Sequence, residues 1–161
     1  MAPFEDVMGE LDSPMFILTC HPPGGRPAGC LVGFATQTSI DPPRFLVCVS
    51  ERNHTHAAAR RSDVLAVHLV PRQAGEIAAL FGGETEDDLD KFSRCAWHPG
   101  RHDAPILEDC PNWFIGRVRE RLELGDHTGF LLEPVAAHHQ PGHRGLGLQR
   151  AAEEIEPGHP A

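Results

Sequence analysis

Two short runs carry side chains suited to a polar, phosphorylated ligand. Thr36, Gln37, Thr38 and Ser39 place hydroxyls and an amide on consecutive residues. That set matches the carbonyls and ring nitrogens of an isoalloxazine and the hydroxyls of a ribityl chain. Ser50, Arg52, Asn53 and Thr55 cluster where an apolar run gives way to a helical one over residues 54–61. A helix start offers unpaired N–H groups and a partial positive charge, so a phosphate there would also gather Arg52 and the Thr55 hydroxyl. Capping of the helix by Ser50 or Asn53 is the competing use of the same residues.

The neighbouring elements must position these runs. Residues 28–35 are apolar and contain Gly29 and Gly33. Glycine weakens a strand unless something approaches the backbone closely, and a flat ring is one such thing. Asp41, Pro42 and Pro43 force a turn after the hydroxyl-rich stretch, and residues 44–49 (RFLVCV) read as a buried strand. Ahead of them, residues 15–20 form a first strand and the Pro/Gly-rich residues 21–26 a turn, so the first two strands pair as a hairpin. Residues 1–12 carry the weak spacing of a short amphipathic helix, Phe4, Val7, Met8 and Leu11.

Further along, residues 64–70 read as a buried strand in which His68 is hydrogen-bonded interior rather than a ligand. Residues 71–81 read as a helix with Ile77, Ala78, Leu80 and Phe81 inward, stopped by Gly82 and Gly83. Residues 84–92 are an acidic helical segment, and Asp87, Asp88 and Asp90 read as its solvated face in preference to a cation site. Residues 112–124 alternate as a long strand with one wet face, and Gly125 and Asp126 turn the chain into a last strand over 127–135, opened by His127. Cys95, His98, His102 and Cys110 have donor atoms that zinc accepts, but Pro99 and Gly100 imply an extended hairpin that splays them, with Trp97 as its buried residue.

The chain has 161 residues and is 40% hydrophobic, which fits one globular domain. Its net charge of -9, with Lys91 the only lysine, repels a nucleic-acid backbone. An anionic cofactor must then rely on local arginines and backbone dipoles. No apolar run approaches the ~20 residues that span a bilayer, and the acidic N-terminal stretch is not a secretory signal, so a cytoplasmic location is expected. Five cysteines without a C-x-x-C pair argue against a disulfide framework. Cys20, Cys30 and Cys48 read as small buried hydrophobes.

The runs GFATQTSIDPPRFLVCVS, NHTH, FGGETEDDLDKF and GDHTGFLLEPV, in that order, resemble the flavin reductase-like family of FMN-binding split barrels. The resemblance covers roughly residues 14–137. It implies a mainly β fold with short helices, a Greek-key split β-barrel that pairs as a homodimer, and FMN (or FAD) reduced by NADH or NADPH. It also implies a monooxygenase as the recipient of reduced flavin; the alternative is a non-catalytic flavin- or haem-binding module. By resemblance, Asn53, His54 and Thr55 of the NHTH run join the cofactor set, Lys91 and Phe92 lie at the cofactor's edge, and His127 faces the nicotinamide. Residues 1–13 then form a helical lead, 14–137 the barrel domain, and 138–161 a flexible His/Pro/Gly-rich tail or a strap across a partner.

Overall fold

The computed structural model describes residues 1–83 and 88–155. The helices α1 (Ala2–Gly9), α2 (Thr55–Arg60), α3 (Gly75–Gly83), α4 (Asp88–Ser93) and α5 (Leu148–Glu154) are short. The strands are β1 (Phe16–Cys20), β2 (Ala28–Val32), β3 (Ala35–Ser39), β4 (Arg44–Ser50), β5 (Val64–Leu69), β6 (Trp97–Pro99), β7 (Pro105–Leu107), β8 (Trp113–Glu123) and β9 (His127–His138). Seven of them form one antiparallel sheet in the order β2-β1-β5-β8-β9-β4-β3, and β6 and β7 form a separate hairpin.

The sheet is rolled. Cys30 and Val32 of β2, near one end of the strand order, share a core with Val47 and Val49 of β4, near the other end, together with Leu18, Leu65, Phe130 and Leu132. Register shifts in the long β8–β9 pair, at Ile115/Gly116 and Val118/Glu120, add the local twist that bends it. The barrel stays split because β2 and β3 do not pair. The chain simply steps from one to the other through Gly33 and Phe34.

A second core lies outside the roll, where Ile77, Ala78, Leu80 and Phe81 of α3 pack with Ile17, Phe92 and Leu107. Here Gly29 finds its reason. A Cβ at Gly29 would sit 2.7 Å from the Phe81 ring and 3.0 Å from the Leu18 carbonyl, so a protein side chain, not a cofactor ring, occupies the close approach expected there. Gly82 and Gly83 do not stop α3 but form its last turn. Helix α1 exists, yet none of its residues is buried.

The tail differs most from expectation. Strand β9 runs on to His138, and the chain then closes over its own barrel. Leu146, fully buried, accepts from the Met15 N–H at 2.8 Å and donates to the Val70 carbonyl at 2.8 Å; Leu148 donates to Ser13. Leu148 and Ile155 pack against the second core, and Ala151 lies within it. Residues 138–155 are thus a structural part of the domain rather than a loose end; residues 156–161 lie outside the described residues. The same holds for Glu84 to Asp87, and for the side chains of the proposed acidic face at Asp88 and Asp90.

His68 is tied to two residues of the second core. Its Nδ1 donates to the Ile17 carbonyl at 3.0 Å and its Nε2 accepts from the Leu107 N–H at 3.1 Å. Complete burial pushes its pKa down to about 4. The unfolded chain protonates this group near the ordinary value of about 6.5, so below that pH the unfolded state binds more protons. Stability contributed by His68 is therefore full above about pH 6.5 and falls as pH drops towards 4, a loss of about 3 kcal/mol. The His68 ring resonances should stay unshifted in an NMR titration from pH 8 to pH 5. A midpoint near 6.5 would refute the assignment.

Candidate functional site

The β4–β9 pairing brings together residues that are far apart in the sequence. Ser50, the last residue of β4, lies directly opposite His127, the first of β9, and the Glu51 N–H donates to the Asp126 carbonyl at 2.9 Å. Beside them opens a cleft of about 230 Å³ at the split between β2 and β4. Met15, Val32, Val49 and Leu148 give it apolar walls; Ser50, Asn53 and His127 supply its polar groups.

The polar end is fixed by local bonds. The Arg52 N–H donates to Ser50 Oγ at 3.3 Å, and the Thr55 N–H donates to Asn53 Oδ1 at 2.9 Å. His127 Nδ1 lies 2.7 Å from Asp126 Oδ1, which leaves Nε2 as the nitrogen available to a ligand. The hydrogen bond and charge of His127, helped by Arg52, hold the Asp126 carboxyl below the usual carboxylate range. Asp126 is therefore ionised at neutral pH and takes up a proton only as the pH falls through that lowered value. Phe34 covers the imidazole, with ring centroids 4.9 Å apart.

Other expected site residues lie elsewhere. Thr36, Gln37, Thr38 and Ser39 sit on β3, an edge strand, with largely exposed side chains. Gln37 Nε2 donates to the Ser39 carbonyl, and residues 37–41 border a separate open hollow. Thr55 is buried and donates from Oγ1 to the Gly29 carbonyl at 2.8 Å. Lys91, only 2% exposed, donates from Nζ to the same carbonyl at 3.2 Å and lies over the Phe81 ring. Phe92 packs edge-on between Phe81 and Trp97 in the second core, and the Trp97 Nε1–H donates to its carbonyl. Arg52 and His54 are exposed beside the cleft. Helix α2, six residues long, has too few aligned peptides to carry a phosphate by its dipole.

Sequence reasoning passed over Phe34, Met15, Cys30, Cys48 and Leu148, all of which line the cleft. Phe34 had a visible signal, an aromatic beside a glycine between two strand-like runs; Leu148 had none. Burial raises the Cys48 thiol above its ordinary pKa and raises Cys110 to about 12, so both remain protonated. Cys95, His98, His102 and Cys110 do not converge: among the described residues no group of three His, Cys, Asp or Glu could hold a metal ion. Among those residues, too, no helix is long and apolar enough to cross a membrane.

The model of the flavin reductase like domain matches residues 8–153. The chain belongs to that family. An FMN reductase (NADH) from Methylorubrum extorquens is 33% identical over 141 residues, covering 86% of this chain and 69% of that protein. The reductase subunit of stachydrine N-demethylase from Rhizobium meliloti is 26% identical over 145 residues, covering 90% of this chain and 61% of that protein. The chain spans about half the length of the Rhizobium meliloti relatives that it matches. In structure, it superposes on the NADH:FAD oxidoreductase of Streptomyces globisporus C-1027 with a TM-score of 0.81 at 24% identity, covering 89% of this chain and 85% of that one. That likeness shows the split-barrel fold. The match to residue 153 takes in α5, in accord with its docking on the barrel.

Proposed function

We infer that this chain is an FMN-dependent flavin reductase that takes its hydride from NADH, the donor named for the Methylorubrum relative. The observation that carries the reading is the pairing of Ser50 with His127 at the polar end of an apolar cleft in a chain of this family. The residues fit a flavin nucleotide: apolar walls suit a planar ring, while Ser50, Asn53 and Arg52 supply donors of the kind that its polar chain and phosphate need. When bound, the flavin carries the redox chemistry. The protein's part is to exclude water with Met15, Val32 and Val49, to hold the phosphate with Arg52, and to orient the nicotinamide with His127.

The reductase subunit relationship supports a monooxygenase-type partner as the consumer of reduced flavin. A homodimer goes with this reading. Strand β3 is an edge, and edge strands leave one row of backbone N–H and C=O groups outside the ladder. Ile40, 84% exposed just beyond it, adds apolar surface. Five free cysteines agree with a cytoplasmic setting.

One sample tests these points together. The purified protein, reconstituted with FMN, should keep the flavin absorption bands through gel filtration and should scatter light as twice 17.6 kDa. Anaerobic NADH should bleach those bands faster than NADPH does. A protein that returns no flavin, or a flavin complex that neither nucleotide bleaches, would overturn the reading.

A further inference from the structure

Phe34 is 58% exposed, yet it is not loosely placed. Its carbonyl accepts the Cys48 N–H at 2.9 Å. The adjoining Gly33 backbone lies so close to the cleft floor that a Cβ there would be 3.3 Å from Met15 Sδ and 3.7 Å from a Leu148 methyl. One side of the phenyl ring rests on His127, tilted by 38°, and His127, whose side chain is only 16% exposed, is itself held by Asp126. Carboxylate, imidazole and phenyl thus form a supported ladder at the mouth of the cleft. The exposed surface of the phenyl is left for a ligand.

The size of the cleft points the same way. At about 230 Å³ it lies below the ~300 to 1,000 Å³ of sites that enclose a whole drug-sized ligand. A three-ring system entering it must leave part of itself outside, where Phe34 stands. Aromatic rings favour offset stacking on one another beyond what their buried area contributes. We propose that Phe34 is the stacking residue of this site, taking the flavin's ring system on its exposed face and so fixing the ring independently of the phosphate. This rests on the flavin reading above and adds to it a residue and a division of labour: Phe34 for the ring, Arg52 for the phosphate.

Equilibrium titrations followed by flavin fluorescence, without turnover, test this with FMN, riboflavin and lumiflavin. Phe34→Ala should weaken all three alike, by about tenfold. Phe34→Leu, which keeps apolar bulk and loses the ring, should behave like Phe34→Ala, and Phe34→Trp should restore wild-type affinity. Thermal melts of the three variants should match wild type, since the ring is exposed. Wild-type affinity in Phe34→Ala, or a change in its light-scattering mass showing that a second copy covers Phe34, would overturn the proposal while the flavin reading stands. Failure of the wild-type protein to bind any of the three would overturn the flavin reading itself.

Discussion

His127→Ala is expected to retain FMN and to lose speed, with reduction of the bound flavin by NADH slowed on the order of tenfold to a thousandfold. The imidazole stands opposite Ser50, lies against the tilted Phe34 ring and is held by Asp126 at 2.7 Å. Hydride transfer needs no proton from the protein. In the function proposed, His127 would act by holding the nicotinamide in a reactive geometry, or by supplying a favourable charge or hydrogen bond to the flavin. A purely architectural His127 would instead cap the turn. Yet the turn closes through the backbone, with the Leu124 N–H donating to the His127 carbonyl at 3.0 Å. Anaerobic stopped-flow measurement at the flavin band separates the two roles. A slow rate with unchanged melting temperature and FMN affinity assigns His127 to the site. A wild-type rate with a lowered melting temperature assigns it to the fold.

Arg52→Ala should discriminate between ligands rather than between rates. Arg52 lies two residues beyond the end of β4, its N–H tied to Ser50 Oγ and its exposed side chain close enough to lower the pKa of Asp126. A charge-assisted hydrogen bond to phosphate contributes ~1.5 to 3 kcal/mol, so FMN affinity should fall on the order of tenfold to a hundredfold. Solvent screening at an exposed arginine favours the lower end. Riboflavin, which lacks the phosphate, should bind as before. Equal losses for both ligands would show that Arg52 supports the fold around Ser50. Added salt should weaken FMN and leave riboflavin nearly untouched.

Strands whose burial alternates or is complete were legible from the chain alone: β1, β2, β4, β5, β8 and β9 lie within a few residues of where apolar periodicity puts them. Strand β3 is not legible as a strand because the side chains of Thr36, Gln37 and Thr38 are all exposed, leaving no inward-outward alternation to detect. The tail was misread for a related reason. Leu146 and Leu148 stand isolated among glycine, histidine and arginine, and the partners of Leu146, Met15 and Val70, are distant in sequence, so no longer apolar pattern announces it.

The site divided along the same line. Ser50 and His127 could be named from turn and strand signals, and the fold brought them face to face. Lys91, expected at the cofactor's edge by resemblance, is instead buried, and its Nζ donates to the carbonyl of Gly29, 62 positions away, a contact that no local pattern announces. Thr55 bonds to that same carbonyl, so a hydroxyl suited to phosphate serves instead to anchor α2 on β2.

The docked tail also bears on how the molecule is made. Asp12 Oδ1 accepts the Gln149 N–H across 137 positions, and Leu148, next to it, is a wall of the cleft. Contacts of such long range are slow to form, because the loop they close must be ordered before they give anything back. During synthesis, α1 and β1 leave the ribosome long before their C-terminal counterpart exists. The nascent barrel must therefore wait with that side of the cleft open, and Leu148 joins its wall only when α5 emerges.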